Sequence, residues 1–93
     1  MNVRKITPAE MPSIHFAPND VLRETEDRQV RNAKLRKAML ISNLEHEDVG
    51  IIFQLDSGEV IETYSSVIDY ADDYVELKGG YMIPVSAIVD VES

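Results

Sequence analysis

Two acidic clusters are the parts of this sequence whose residue types could support metal chemistry. In the first, His46 stands between Glu45 and Glu47 and is followed by Asp48. Imidazole and carboxylate groups bind divalent metals, but metal ligands must be spaced so that they converge on one point. Four adjacent residues in a loop do not converge, and His-Glu-x-x-His spacing is absent. We therefore interpret this cluster as a solvated linker without a metal.

The second cluster comprises Asp69, Asp72, Asp73 and Glu76, which surround a predicted turn. A calcium ion needs about six to eight oxygen ligands, and an EF-hand loop places acids at alternate positions around a central glycine. That pattern is absent here. We predict an acidic hairpin tip at the edge of a sheet.

Covalent and acid–base catalysis find little support. The sequence contains no cysteine, and no serine lies in a Gly-x-Ser-x-Gly motif. Gly79-Gly80 is too short to hold a phosphate as a glycine-rich loop before a helix does. We predict that the protein is not an enzyme and needs no cofactor.

The net charge of −8 is unevenly distributed along the 93 residues. Residues 45–93 contain twelve acids and one base, Lys78, whereas residues 1–44 are slightly basic. An acidic body repels the phosphate backbone, so nucleic acid is disfavoured as the main partner. The charge either attracts a basic protein partner or serves solubility alone.

The length predicts one domain over 19–93, preceded by an arm over 1–18. Three prolines in the arm, Pro8, Pro12 and Pro18, favour an extended or disordered segment. Within it, the alternation over 13–16 allows docking as a short edge strand. No apolar run approaches the roughly 20 residues that span a bilayer, and no signal peptide is evident, so we expect a cytoplasmic protein without membrane contact.

A helix is predicted over about 20–42, because Asn19 and Asp20 are good N-cap residues and Asn43 is a plausible end. The stretch 35–41 can alternatively pair as a strand. The apolar stripe that we expect to face the core consists of Leu22, Val30, Ala33, Leu40, Ile41 and Leu44.

Five strands are predicted after the helix, over about 49–55, 60–70, 74–78, 81–83 and 88–91. Ser65-Ser66 predicts a bend in the long second strand, and Gly79-Gly80 predicts a hairpin turn. The predicted core consists of Val49, Ile51, Phe53, Leu55, Ile61, Val67, Val75, Leu77, Ile83, Ile88, Val89 and Val91.

Strands this short and bent favour a small barrel. The predicted fold is α+β and mainly β, with an N-terminal helix followed by a five-stranded, strongly bent antiparallel small barrel over 49–92.

The segment Tyr74–Pro84 resembles the second motif of Sm-like (SH3-like) barrels, with Lys78-Gly79 in the place of the basic–Gly pair. The ending Ile83–Val91 is similar to that of YolD-like and Rho-binding-antiterminator proteins, which are small bacterial Sm-like barrels. RNA-binding Sm proteins use an asparagine and an aromatic residue after their second strand, whereas the segment 59–64 here has no asparagine and two acids. The resemblance to the Rho-binding type implies an acidic barrel that acts by contacting a protein.

We therefore predict a protein-interaction or regulatory module with an unknown protein partner. The alternative is an RNA-binding Sm-like subunit of a ring that uses Lys78 and the basic helix, and a homo-oligomer remains open. The predicted interaction surface consists of Asp69, Asp72, Asp73, Glu76, Tyr74, Lys78, Tyr81, Arg31 and Lys34.

Overall fold

The alternation of apolar and polar residues that begins at Val49 produces most of the strands. The computed structural model describes residues 3–92, which form one α-helix, seven β-strands and two 3₁₀ helices. The fold is therefore α+β and mainly β. The strands are β1 (Arg4–Ile6), β2 (Val49–Gln54), β3 (Val60–Ser65), β4 (Val67–Tyr70), β5 (Tyr74–Leu77), β6 (Tyr81–Pro84) and β7 (Ile88–Glu92). The helix α1 spans Thr25–Glu45, and the 3₁₀ helices span Pro8–Ser13 and Val85–Ala87.

The strands form two sheets. The first has the order β1-β3-β2-β7, in which β1 runs parallel to β3 and the other neighbours are antiparallel. The second is the antiparallel sheet β4-β5-β6. Only Ser66 separates β3 from β4, so the chain bends there from one sheet into the other. The 3₁₀ helix Val85–Ala87 makes the second passage, from β6 to β7.

A single buried cluster joins both sheets to α1 and to the N-terminal segment. It contains alternate residues of β2 and β5, as the two-residue period predicted. All residues of the predicted core are buried except Leu55 and Val89, which are half-buried. Ile6 and Met11, which the sequence placed in the arm, are buried in the same cluster.

The helix α1 packs against β4, an outer strand of the second sheet, and β7, an outer strand of the first. Ser42 Oγ accepts a hydrogen bond from the Val67 N–H in β4 (3.0 Å), and Arg31 Nη1 donates to the Ile88 carbonyl in β7 (3.2 Å). Buried backbone groups of a strand must find partners, and here helix side chains supply them. The buried face of α1 consists of Arg31, Leu35, Ala38 and Ser42.

The predicted five-stranded barrel differs from the structure in two ways. The region predicted as one strand over 60–70 forms two strands in different sheets, and β1 is added beside β3, which gives seven strands. The sheets do not close into a barrel, because α1 rather than a strand lies against β4 and β7. The helix also follows β1 and is not the N-terminal element.

The helix differs from its prediction in bounds and in orientation. It begins at Thr25 because Asp20 belongs to the preceding loop, where its side chain binds the Leu22 N–H and Arg31. It ends at Glu45, beyond Asn43, where His46 adopts a left-handed conformation (φ 57°). The stretch 35–41 is helical, so the alternative strand is wrong. The predicted core stripe is also wrong, since Val30, Leu40 and Leu44 are 55%, 51% and 78% exposed.

The described part of the predicted arm, 3–18, packs against the sheets. Its 3₁₀ helix, Pro8–Ser13, lies against β6 and β3. Phe16 forms an isolated antiparallel bridge with Leu55, which agrees with the edge docking allowed for this stretch. The Phe16 ring lies 5.6 Å from the Phe53 ring. These contacts hold the segment against the end of β2.

Candidate interaction site

A cleft of about 580 Å³ opens where four parts of the chain meet. Loop 20–24 is fixed to the second 3₁₀ helix by the Val21 N–H, which donates to the Ser86 carbonyl (2.9 Å). The turn between β4 and β5 is fixed to the same 3₁₀ helix by the Val85 N–H, which donates to the Asp73 carbonyl (2.9 Å). The cleft is lined by Asp20, Arg28, Arg31, Asn32, Asp72, Asp73, Tyr74, Pro84, Val85 and Ser86.

The guanidinium of Arg31 forms the buried floor of this cleft. It donates to both carboxylate oxygens of Asp20, at 2.8 and 3.0 Å, and to the Ile88 carbonyl. Its Nε also donates to the Asn32 side-chain oxygen (3.2 Å). A bidentate pair fixes the geometry of both partners. Arg31 therefore anchors loop 20–24 to α1 and β7.

Asp20 is the electrostatic centre of the cleft. Burial raises the pKa of its carboxyl, but hydrogen bonds from Arg31 and from the Leu22 N–H, with the charges of Arg31 and Arg28, outweigh burial and lower the pKa below its ordinary value. The Arg28 Nε lies 3.5 Å from the Asp20 carboxylate and donates to the Leu22 carbonyl. The carboxylate thus stays ionised to a lower pH than an ordinary aspartate.

The turn between β4 and β5 supplies a different kind of acid. Asp72 and Asp73 are exposed on the cleft wall, while Asp69 and Glu76 are paired across β4 and β5. None of these four forms an ion pair within the described residues 3–92. Tyr74 follows the two wall acids and is 47% exposed. The wall therefore combines free negative charge with an accessible aromatic ring.

A second cleft, of about 610 Å³, continues from the first over shared residues Tyr74, Pro84 and Ser86. Its far side is segment 14–18, which the Asp56 N–H holds by donating to the His15 carbonyl (2.9 Å). Together the two clefts form one surface feature, here called the Tyr74 trough. Tyr74 and Pro84 lie where the two clefts join, and the end at the β4–β5 turn is acidic.

The structure brings together only some of the predicted surface residues. Asp72, Asp73 and Tyr74 lie in the trough beside Arg31, but Arg31 is buried and does not form an exposed surface. Lys34 lies elsewhere, with its Nζ 2.7 Å from Asp90.

Lys78 and Tyr81 lie at the opposite end of the second sheet. Lys78 lines a separate depression with His46 and Asp48. Tyr81 is half-buried, and its ring lies where a side chain at Gly79 would be. A positive φ of 95° at Gly79 fits the predicted hairpin turn. These residues belong to the hairpin rather than to the trough.

Four residues that line the trough were not predicted as site residues: Asp20, Arg28, Pro84 and Ser86. Asp20 was interpreted as an N-cap and Pro84 as the end of a strand, which are local roles. Eleven residues separate Asp20 from Arg31, and loops rather than one regular element bring Pro84 to Tyr74. No spacing pattern in the sequence marks such a site.

The described chain contains no arrangement that would hold a metal. No group of three or more His, Asp or Glu side chains within residues 3–92 is placed around a common point. In the same part of the chain, no helix has both the length and the apolar character that a membrane crossing requires.

Comparisons with known proteins gave no match. No family model fits the chain, and no curated protein or solved structure is significantly similar to it. The resemblance to Sm-like barrels therefore stays a prediction.

Proposed function

We propose that the protein is a non-enzymatic protein-interaction module that binds a basic segment of a partner protein in the Tyr74 trough. The observation that carries the proposal is the placement of Asp72 and Asp73, without ion-pair partners in residues 3–92, directly beside the exposed ring of Tyr74. Aromatic anchors with complementary charge at the rim are typical of protein interfaces.

The charge of the trough supports a cationic partner. Its two arginines, Arg28 and Arg31, are both bound to Asp20, so their charge is already compensated in part. The acids of the β4–β5 turn are not compensated in this way. A lysine or arginine of a partner can therefore pair with Asp72 or Asp73 while an apolar neighbour covers Tyr74 and Pro84.

The shape of the trough supports an extended segment. The two clefts adjoin at Tyr74, Pro84 and Ser86, and their walls include backbone segments that are held to one another by hydrogen bonds. A wall fixed in this way loses little conformational entropy when a partner binds. RNA remains the alternative, but two cations predicted to contact it, Arg31 and Lys34, are bound to Asp20 and Asp90.

A library of random 12-residue peptides displayed on phage tests this proposal. The intact chain should enrich peptides that contain Lys or Arg next to an apolar residue. The double variant Asp72→Asn/Asp73→Asn should lose this enrichment, because neutral amides remove the charge and keep the side-chain size. Binding of a selected peptide should weaken by about tenfold or more when salt rises from about 50 to about 500 mM.

The matched control is Glu45→Gln/Glu47→Gln, which removes the same charge from two exposed residues at the far end of α1. This control should enrich the same peptides as the natural chain. Enrichment without an excess of Lys and Arg, or equal loss in both double variants, would contradict the proposal. Far-UV circular dichroism checks that each variant is folded.

A further inference from the structure

The face of α1 that points away from the sheets carries a regular apolar pattern. Intervals of four and three residues alternate along it, which is the a/d spacing of helices that pair side by side. Val30, Leu40 and Leu44 are the exposed large apolar members. The complete seam consists of Glu26, Val30, Ala33, Lys37, Leu40 and Leu44, all exposed.

This seam lies nearly opposite the face that α1 uses within its own chain. At about 100° per residue, the centre of the seam and the centre of the buried face around Leu35 and Ala38 are separated by more than a third of the helix circumference. From Glu26 to Leu44 the seam is about 27 Å long at 1.5 Å per residue. Scattered apolar residues on a surface are ordinary, but Val30, Leu40 and Leu44 lie on one line along the helix, interrupted only by Ala33 and Lys37, and such a line favours an interaction surface.

The two charges in the seam select the direction of a partner helix. In a parallel pair of identical helices, Lys37 would lie on Lys37 of the second copy and Glu26 on its equivalent. In an antiparallel pair with the two-fold axis between Arg31 and Asn32, Glu26 of each copy lies opposite Lys37 of the other copy. The seam is therefore complementary in charge to itself in the antiparallel direction only.

The same register pairs the apolar residues next to the two-fold axis. Val30 lies opposite Ala33 of the second copy on both sides of the axis. Leu40 and Leu44 of the second copy extend past the start of α1, over the loop that precedes it. A depression of about 240 Å³ lies there beside Val30, lined also by Leu22 and Val89 and by the charged Asp27, Arg31 and Asp90. Leu40 of each copy thus meets a recess whose lining is half apolar and half charged.

We infer that α1 pairs with α1 of a second copy of this chain, antiparallel, along this seam. The surface is distinct from the Tyr74 trough, so both can be occupied together. In this register the seams of the two helices overlap over residues 26–37, about 17 Å at 1.5 Å per residue. Such an interface falls at the low end of interface sizes, where association is weak. Dimer formation therefore depends on protein concentration.

Sedimentation equilibrium of the full chain, over roughly 5 to 500 µM, measures this association by mass action. The average mass should rise from one chain toward two. Glu26→Lys and Lys37→Glu should each weaken the dimer by at least about tenfold, because each places like charges opposite one another. The double reversal Glu26→Lys/Lys37→Glu should restore affinity to within about threefold of the natural chain.

Glu45→Lys, an exposed charge reversal outside the seam, is the control and should leave dimerisation unchanged. Leu40→Asp should abolish the dimer and keep the fold. A monomer at all concentrations would overturn the inference and leave the seam to a different protein. A dimer insensitive to Leu40→Asp, or one that the double reversal fails to restore, would overturn it equally.

Discussion

Arg31 joins three separate parts of the chain through one side chain. Its guanidinium binds the loop at Asp20, the carbonyl of Ile88 in β7 and the neighbouring Asn32. Its side chain is only 3% exposed. When a buried charged side chain is truncated, the groups that it bonded stay desolvated and unpaired. Single truncations at such positions are therefore costly.

Arg31→Ala should lower the free energy of unfolding by about 3 kcal/mol, because it leaves Asp20 and the Ile88 carbonyl without their main donor. Urea denaturation followed by circular dichroism measures the change. The control Arg36→Ala removes an exposed arginine of the same helix and should stay within about 0.5 kcal/mol. A loss below about 1 kcal/mol for Arg31→Ala would show that solvent replaces these bonds.

The Asp20 pair should also make stability depend on pH. Its pKa is lower in the folded chain than in the unfolded one, so its contribution is complete above the ordinary carboxyl range. As pH falls below about 4, the unfolded chain takes up the proton first and the contribution is lost.

The measurement compares the natural chain with Asp20→Asn by urea denaturation at neutral pH and near pH 3. The stability advantage of the natural chain over Asp20→Asn should shrink on acidification. The same advantage at both pH values would show that Asp20 is not stabilised as a carboxylate. Asp90→Asn offers a comparison, because Lys34 and the Val91 N–H also lower the pKa of Asp90 against the effect of burial.

The sequence could not reveal Arg31 and Asp20 as a pair. Each has an adequate local interpretation, one as a solvated helix residue and the other as a helix cap. Their contact depends on the path of loop 20–24, which the Ser86 carbonyl fixes by accepting the Val21 N–H. Such a contact is set by tertiary structure and leaves no periodic signal.

At the scale of elements, α1 shows why an apolar stripe is not sufficient evidence for a buried face. The helix has two stripes, and the one with fewer large apolar residues is buried. Its polar members, Arg31 and Ser42, satisfy backbone groups of β7 and β4. A helix that covers the outer strands of sheets must supply donors and acceptors, and hydropathy alone does not measure that requirement.

Ser42→Ala should destabilise the protein by about 1–3 kcal/mol, because the Val67 N–H then loses the Ser42 Oγ acceptor in a buried position. The same hydroxyl donates to the Glu47 carbonyl (3.0 Å). In Ser42→Ala, the amides at the end of α1 should therefore also be less protected from hydrogen exchange. Amide hydrogen exchange at Val67 measures the local effect and urea denaturation the global one. Asn43→Ala, at the exposed neighbour, is the control; equal losses would contradict this account.

The strands after α1 were largely predictable. β2 and β5 alternate buried and less buried residues, and a two-residue period has few other structural solutions. The bend at Ser66 was also predicted. The strand β1 was not, because three residues without a clear period pair in parallel with β3 across 57 positions of sequence.

At the scale of the whole molecule, α1 is an element that contacts both sheets. Leu35, with no exposed surface, lies on the face that packs against both. Because the helix contacts β4 of one sheet and β7 of the other, neither sheet keeps its packing when α1 is lost. The chain should therefore unfold in one cooperative step.

Leu35→Ala should cost about 2–5 kcal/mol, as for other fully buried leucines. In urea, helix ellipticity and tyrosine fluorescence should give coincident midpoints, and the variant should shift both equally. A helix that melts before the tyrosine signal changes would show that the sheets are stable without it.

The candidate site was only partly predictable at this scale. The acidic character of residues 45–93 and the exposed hairpin acids are properties of composition and turn chemistry, so Asp72, Asp73 and Tyr74 were found. The other half of the trough comes from loop 20–24, segment 14–18 and Pro84. These meet only when both sheets and the N-terminal segment are assembled.

The covering of the outer strands has a consequence for aggregation. Uncovered strands of one molecule can add to those of another and start a fibre. Here α1 lies against β4 and β7, and the 3₁₀ helix Pro8–Ser13 lies against β6, which leaves β1, three residues long, as the other outer strand. Proteolysis that removes the chain before Ile14 would uncover β6 and β3 together, and we expect such a fragment to form amyloid-like deposits under conditions in which the intact chain stays dispersed.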